Sequence, residues 1–89
     1  MTSISVGEPG FAEITPNAAT ADILFELGMV YCSGRDGSQD FVTAHKWFNL
    51  AALKGSEDAR HYRRQLAEEM SPEQVAEAQR QARQWLTLH

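Results

Sequence analysis

Three side chains in the first half of the chain have the chemical types of a nucleophile, a base and an orienting acid. Cys32 could supply a thiolate, His45 a general base and Asp40 the carboxylate that orients an imidazole. The sequence offers no glycine-rich nucleophile elbow, no set of oxyanion donors and no second acid–base pair. We therefore expect no catalytic residues, and we predict that the protein is not an enzyme.

The same residue types are spaced wrongly for a metal site. Cys32 is the only cysteine, so it can form neither an intramolecular disulfide nor the paired cysteines of a zinc module. The three histidines, His45, His61 and His89, include no i, i+4 pair and no HExxH motif. We expect no metal, no cofactor and a reducing compartment.

A basic cluster offers a different kind of site. Its members are Lys54, Arg60, Arg63 and Arg64, whereas the first 44 residues carry six acidic side chains and one basic one. The cluster could bind an acidic partner or a phosphate. It could equally be a solvated helix face, because acidic residues flank it and Arg64 is spaced to pair with Glu68. Both interpretations remain open at this point.

Length and composition limit the kind of protein to which these residues belong. The chain has 89 residues, 43% apolar and 22% charged, with a formal net charge of -4. Folding at this size buries only about 60 to 65% of the surface of the unfolded chain, which predicts one domain and excludes a large enzyme. The acidic balance argues against direct nucleic-acid binding. The sequence lacks the apolar run of a signal peptide or a membrane span, so we expect a cytoplasmic protein.

Helical periodicity defines the elements that must position these residues. Residues 1–18 contain glycine and proline without a sustained period, which predicts a flexible N-terminal arm or a peptide that docks on a partner. No segment alternates with period two, so the predicted fold class is all-α. The first helix begins after Thr20, ends near Cys32 or Ser33 and is followed by a loop of about seven residues. Its apolar stripe is Ile23, Leu24, Leu27, Val30 and Tyr31.

Three further helices are each marked by a capping residue. Asp40 is expected to cap the second helix, which ends before Gly55, a residue expected in the left-handed conformation. Ser56 is expected to cap the third helix. Ser71 begins the fourth, with proline at the first helical position and with Gln74 completing a capping box. We predict about four helices in two antiparallel hairpins, the last helix acting as a cap.

Gly28 lies inside the first predicted helix, where glycine costs roughly 1 kcal/mol relative to alanine. Close approach of the second helix would compensate for this cost. We expect small residues of the second helix, chiefly Ala44 and Ala51, to meet Gly28 and Leu27 there. Phe48 would be wedged alongside them, and Tyr31 would close the pair one turn later. This is the helix-hairpin spacing of tetratricopeptide repeats.

A larger set of spaced residues makes the pattern more specific. The set consists of Leu27, Gly28, Tyr31, Gly34, Asp40, Ala44, Trp47, Phe48, Ala51, Ala52 and Gly55. At these separations the residues resemble the Sel-one-like repeat, a relative of the tetratricopeptide repeat. The resemblance implies one repeat hairpin over residues 19–55. Residues 56–89 would then hold a degenerate second repeat and the capping helix.

The resemblance implies an α/α solenoid that acts as a scaffold. Proteins with such repeats hold partner proteins in multi-component assemblies. The expected function is therefore non-catalytic protein binding, as an adaptor or a small accessory subunit. The alternative is a regulator of an enzyme or of a nucleic-acid-bound complex, acting through the basic face of the third helix, which carries Arg60, Arg63 and Arg64.

Incomplete repeats should leave apolar residues for a partner. Solenoids usually need about three units to cover their apolar faces, so we expect another chain, either a second copy or a larger partner, to complete one end. Phe25 and Met29 are the expected contact residues on the first helix. A second stripe, Val42, Leu50 and Leu53, is either buried under the later helices or part of a partner groove.

Overall fold

Four helices make up most of the computed structural model, which describes residues 19–34 and 39–88. They are α1 (Ala21–Ser33), α2 (Phe41–Leu53), α3 (Glu57–Ala67) and α4 (Pro72–Leu88). This part of the chain contains no strand, and the all-α prediction with four helices is confirmed. The arm predicted over residues 1–18 lies outside the described residues.

The helices begin at the predicted capping residues. Thr20, Asp40 and Ser56 each accept a hydrogen bond from the backbone N–H three residues further on, at 3.0 to 3.2 Å. At the start of α4 the Ser71 N–H donates to Oε1 of Gln74 at 2.9 Å, and the Gln74 N–H donates to Oγ of Ser71 at 3.1 Å. This is the predicted capping box, and it satisfies amides that a first helical turn leaves without partners.

Left-handed glycines end the first two helices. Gly34 has φ 69° and its N–H donates to the Val30 carbonyl at 3.1 Å, while Gly55 follows α2 with φ 105°. Glycine adopts this conformation without the steric cost that a Cβ would bring. The chain therefore leaves α1 and α2 at the predicted residues.

The central helix of the fold is α2, which packs against each of the other three helices. Seven of its 13 residues are buried, and they are distributed around most of its circumference. These are Ala44, His45, Trp47, Phe48, Leu50, Ala51 and Ala52. A helix buried on most sides has no broad solvent face, so α2 forms the core to which the other helices attach.

The second pair of helices differs from the predicted hairpin. The first pair is antiparallel, and the Asp40 N–H at the start of α2 donates to the Tyr31 carbonyl near the end of α1 at 3.0 Å. By contrast, α3 and α4 pack on α2 and scarcely on each other. Trp85 of α4 meets Trp47 of α2 edge-on, with ring centroids 5.5 Å apart. The last helix therefore covers α2 rather than α3.

Candidate partner-binding surface

The hairpin of α1 and α2 closes where Gly28 faces Phe48. A Cβ placed on Gly28 would lie 2.5 Å from Cδ1 and 3.0 Å from Cγ of the Phe48 ring. The close approach expected at Gly28 is therefore present. The nearest atoms belong to the ring of Phe48 and not to Ala44 or Ala51, which we had expected to meet Gly28.

An aromatic cluster joins the first three helices. The rings of Phe25, Phe48 and Tyr62 have centroid separations of 5.6 to 5.8 Å. Such tilted and stacked pairs add to the stability gained from burial alone. Phe25, expected on an open face of α1, is partly buried against the core, and its ring meets that of Tyr62 of α3. Its role as a partner contact stays a prediction. Met29 is also partly buried against the core.

The open edge of α1 lies on the side away from α3. Ile23 is 41% exposed and stands above Leu27, which is only 3% exposed. These two residues and Val30 follow i, i+4, i+7 spacing and therefore share one edge of the helix. We call the depression of about 340 Å³ lined by Asp22, Ile23, Glu26, Leu27 and Val30 the α1 groove.

The α1 groove was not predicted, because Ile23 and Val30 belong to the apolar stripe expected to face the core. A signal for it was present in the charges: Asp22 and Glu26 are an i, i+4 pair beside the same apolar residues. Carboxylates are rarely buried, so the side of α1 that carries both of them is expected to face solvent. The position of α3 decides which edge of α1 is covered, and the sequence of α1 alone does not contain that information.

The second apolar stripe of α2 divides between core and surface. Leu50 is 1% exposed and belongs to the core, so the interpretation of Leu50 as a partner contact is wrong. The physical reason is that α3 and α4 pack on α2 from separate sides. Val42 is partly buried against the same core, whereas Leu53 in the last turn is 67% exposed.

The three arginines of the basic face of α3 differ in their surroundings. Arg63 donates to Oδ1 of Asn49 on α2 at 2.6 Å. Arg60 lies 4.0 Å from the Glu57 carboxylate, an exposed pair that contributes little to stability. Arg64 is exposed. The three arginines therefore do not form a single free cationic surface.

The three residues that could have formed a triad have other surroundings. Both carboxylate oxygens of Asp40 accept from Thr43, at 3.1 Å from its N–H and 2.8 Å from its hydroxyl. Asp40 is thus the cap of α2 and does not orient an imidazole. Burial raises the pKa of the Cys32 thiol, which disfavours the thiolate. That the chain is not an enzyme stays a prediction.

His45 is the one buried titratable side chain of the core within residues 19–34 and 39–88. Its Nδ1 atom is buried and has no hydrogen-bond partner among these residues. Burial, and secondly the charge of Arg63, lower the pKa of His45. The imidazole is therefore neutral near pH 7, as a buried histidine beside a cation must be.

Within the described ranges, no three His, Cys, Asp or Glu side chains form a group able to hold a metal ion. Among the same residues, no helix has both the length and the apolar character that crossing a membrane requires. Comparison of the chain with protein-family models, with curated proteins and with solved structures found no match. The repeat resemblance therefore rests on the spaced residues of α1 and α2 and stays a prediction.

Proposed function

We propose that the chain is a non-catalytic protein-binding module of the Sel-one-like repeat type, acting in the cytoplasm as an adaptor or as a small accessory subunit. The observation that carries the proposal is the α1 groove, where Ile23 remains 41% exposed over an apolar floor. An apolar edge that the chain's own helices leave open is a common feature of surfaces that bind other proteins. The partner is a protein, and a second copy of the chain is the alternative.

The packing of α1 on α2 supports the repeat part of the proposal. The small and aromatic residues of the pattern, such as Gly28, Ala44 and Phe48, are buried between the two helices. The pattern's two glycines after the helices, Gly34 and Gly55, have positive φ. In a solenoid, the outer edge of a unit's first helix is where a preceding unit would pack. The α1 groove would be that position, left open for a partner.

The basic face of α3 has less support as the binding site. Arg63 is held by Asn49, and Arg60 lies beside Glu57. A partner that used this face would have to displace these contacts. The two surfaces also differ in salt dependence, because ionic contacts weaken with ionic strength while apolar contacts do not.

Capture from lysate of the source cell tests the proposal. The bait is the full chain, compared with Ile23→Ser and with Leu86→Ser, a control at a residue that is likewise 41% exposed but lies on α4. We expect one stoichiometric protein partner that survives about 0.5 M salt and is retained by Leu86→Ser but lost with Ile23→Ser. A partner that is lost at high salt and retained by Ile23→Ser would favour the basic face instead. Recovery of the bait alone would count against an adaptor.

A further inference from the structure

We propose that the α1 groove binds an amphipathic helix of a partner protein, with lysine or arginine side chains beside its apolar stripe. This inference rests on the proposed function and specifies the chemistry of the partner. Two features of the groove carry it: the spacing of its apolar residues and the acidic charge along its border.

The apolar residues of the groove are arranged to accept a helix. Ile23, Leu27 and Val30 repeat at i, i+4, i+7, so the exposed Ile23 and the partly buried Val30 lie along one edge of α1, with the buried Leu27 as the floor between them. A second helix packs along an edge of this kind. Helices that dock in this way present their own anchors at the same spacing. An extended strand would need an exposed sheet edge for its backbone hydrogen bonds, and the described residues contain no sheet.

The charge of the groove specifies the polar side of that helix. Asp22 and Glu26 are exposed, and α1 contains no lysine or arginine. Neither carboxylate forms an ion pair with another residue of 19–34 or 39–88. Two exposed carboxylates beside an apolar strip attract a cationic partner and repel an anionic one.

Charge also disfavours the two occupants of the groove that the chain itself could provide, its first 18 residues and a second copy. The first 18 residues contain Glu8 and Glu13 and no lysine or arginine, so like charges would meet in the groove. A second copy bound symmetrically through the same face would bring two acidic edges, each with Asp22 and Glu26, into one interface. A cationic helix from another protein avoids both repulsions.

A pair of synthetic helical peptides tests the inference. Both carry leucines at i, i+4, i+7, one with lysines flanking the leucines and the other with glutamates at the same positions. Fluorescence anisotropy with the full chain should show binding of the lysine peptide and at least about tenfold weaker binding of the glutamate peptide at low salt. The double variant Asp22→Asn, Glu26→Gln should remove most of this preference, whereas Leu86→Ser should retain it. Circular dichroism of each variant verifies that the fold is retained.

The outcomes distinguish this inference from the proposed function. Equal binding of the two peptides, or binding of neither by a chain that captures a protein through Ile23, would overturn the cationic helix and leave the adaptor proposal standing. A dimer in sedimentation that Ile23→Ser dissociates would assign the groove to a second copy. Competition by a peptide of residues 1–18 would assign the groove to the chain's own arm. Either result would overturn the inference.

Discussion

The contact between Gly28 and Phe48 depends on a single missing methyl group. In an open helix, replacing glycine with alanine stabilises by about 1 kcal/mol. Here the added Cβ would fall within 3.0 Å of ring carbons that are themselves fully buried. We predict that Gly28→Ala lowers the free energy of unfolding by about 1 to 3 kcal/mol, because the ring of Phe48 must shift in a packed core. Urea unfolding followed by circular dichroism measures this change.

A second substitution in the same contact provides the control. Phe48→Leu gives up ring contacts but leaves room beside residue 28. The cost of Gly28→Ala should therefore be smaller in the Phe48→Leu background than in the wild-type chain, a coupling that a double-mutant cycle detects. Equal costs in both backgrounds would show that the ring of Phe48 does not restrict the size of the side chain at position 28.

His45 should make stability depend on pH in the mildly acidic range. Its pKa is lowered in the folded chain, first by burial and then by Arg63. The unfolded chain binds the proton more readily, with a pKa of about 6.5. The contribution of neutral His45 to the free energy of unfolding is therefore complete above that pH. It is lost as the pH falls below it.

The measurement for this prediction is the free energy of unfolding at several values between about pH 7.5 and 5.5. The free energy of unfolding should decrease less at low pH in His45→Gln than in the wild-type chain. In His61→Gln, which removes an exposed histidine, the decrease should be unchanged. A decrease of the same size in His45→Gln would assign the pH dependence to other groups.

At the scale of the helices, Leu50 and Leu53 show how far spacing alone can predict burial. Both are leucines of α2 and lie one turn apart, and yet they are 1% and 67% exposed. We predict that Leu50→Ala costs about 2 to 5 kcal/mol, because it leaves a cavity in the core. Leu53→Ala should change stability by no more than about 0.5 kcal/mol. Thermal unfolding of the two variants compares them, and similar melting temperatures would contradict the burial of Leu50.

The helix boundaries could be predicted from the sequence because their causes are local. The bond between Ser71 and Gln74 joins residues three apart, and the left-handed turn at Gly34 depends on one residue. By contrast, Phe25 contacts the ring of Tyr62, which lies 37 positions further along the chain. The spacing of apolar residues within α1 cannot predict a contact with such a distant residue. For the same reason the position of the candidate site on α1 was not predictable, although its carboxylates were visible in the sequence.

For the molecule as a whole, the α1 groove predicts that a bound helix stabilises the folded chain. A ligand that binds only the folded state adds about 2.7 kcal/mol when its concentration is 100 times the dissociation constant. The lysine-flanked peptide should therefore raise the melting temperature of the wild-type chain and of Leu86→Ser. It should have little effect on Ile23→Ser. A stabilisation that is equal in all three would indicate binding elsewhere on the molecule.

The central place of α2 also affects how the molecule can come apart. Repeat arrays commonly unravel from one end, because each unit touches only its neighbours. Here α1, α3 and α4 all pack on α2, so the unfolding of any one of them exposes the same core to solvent. The chain should consequently melt in one cooperative step, with the amides of α2 exchanging their hydrogens last.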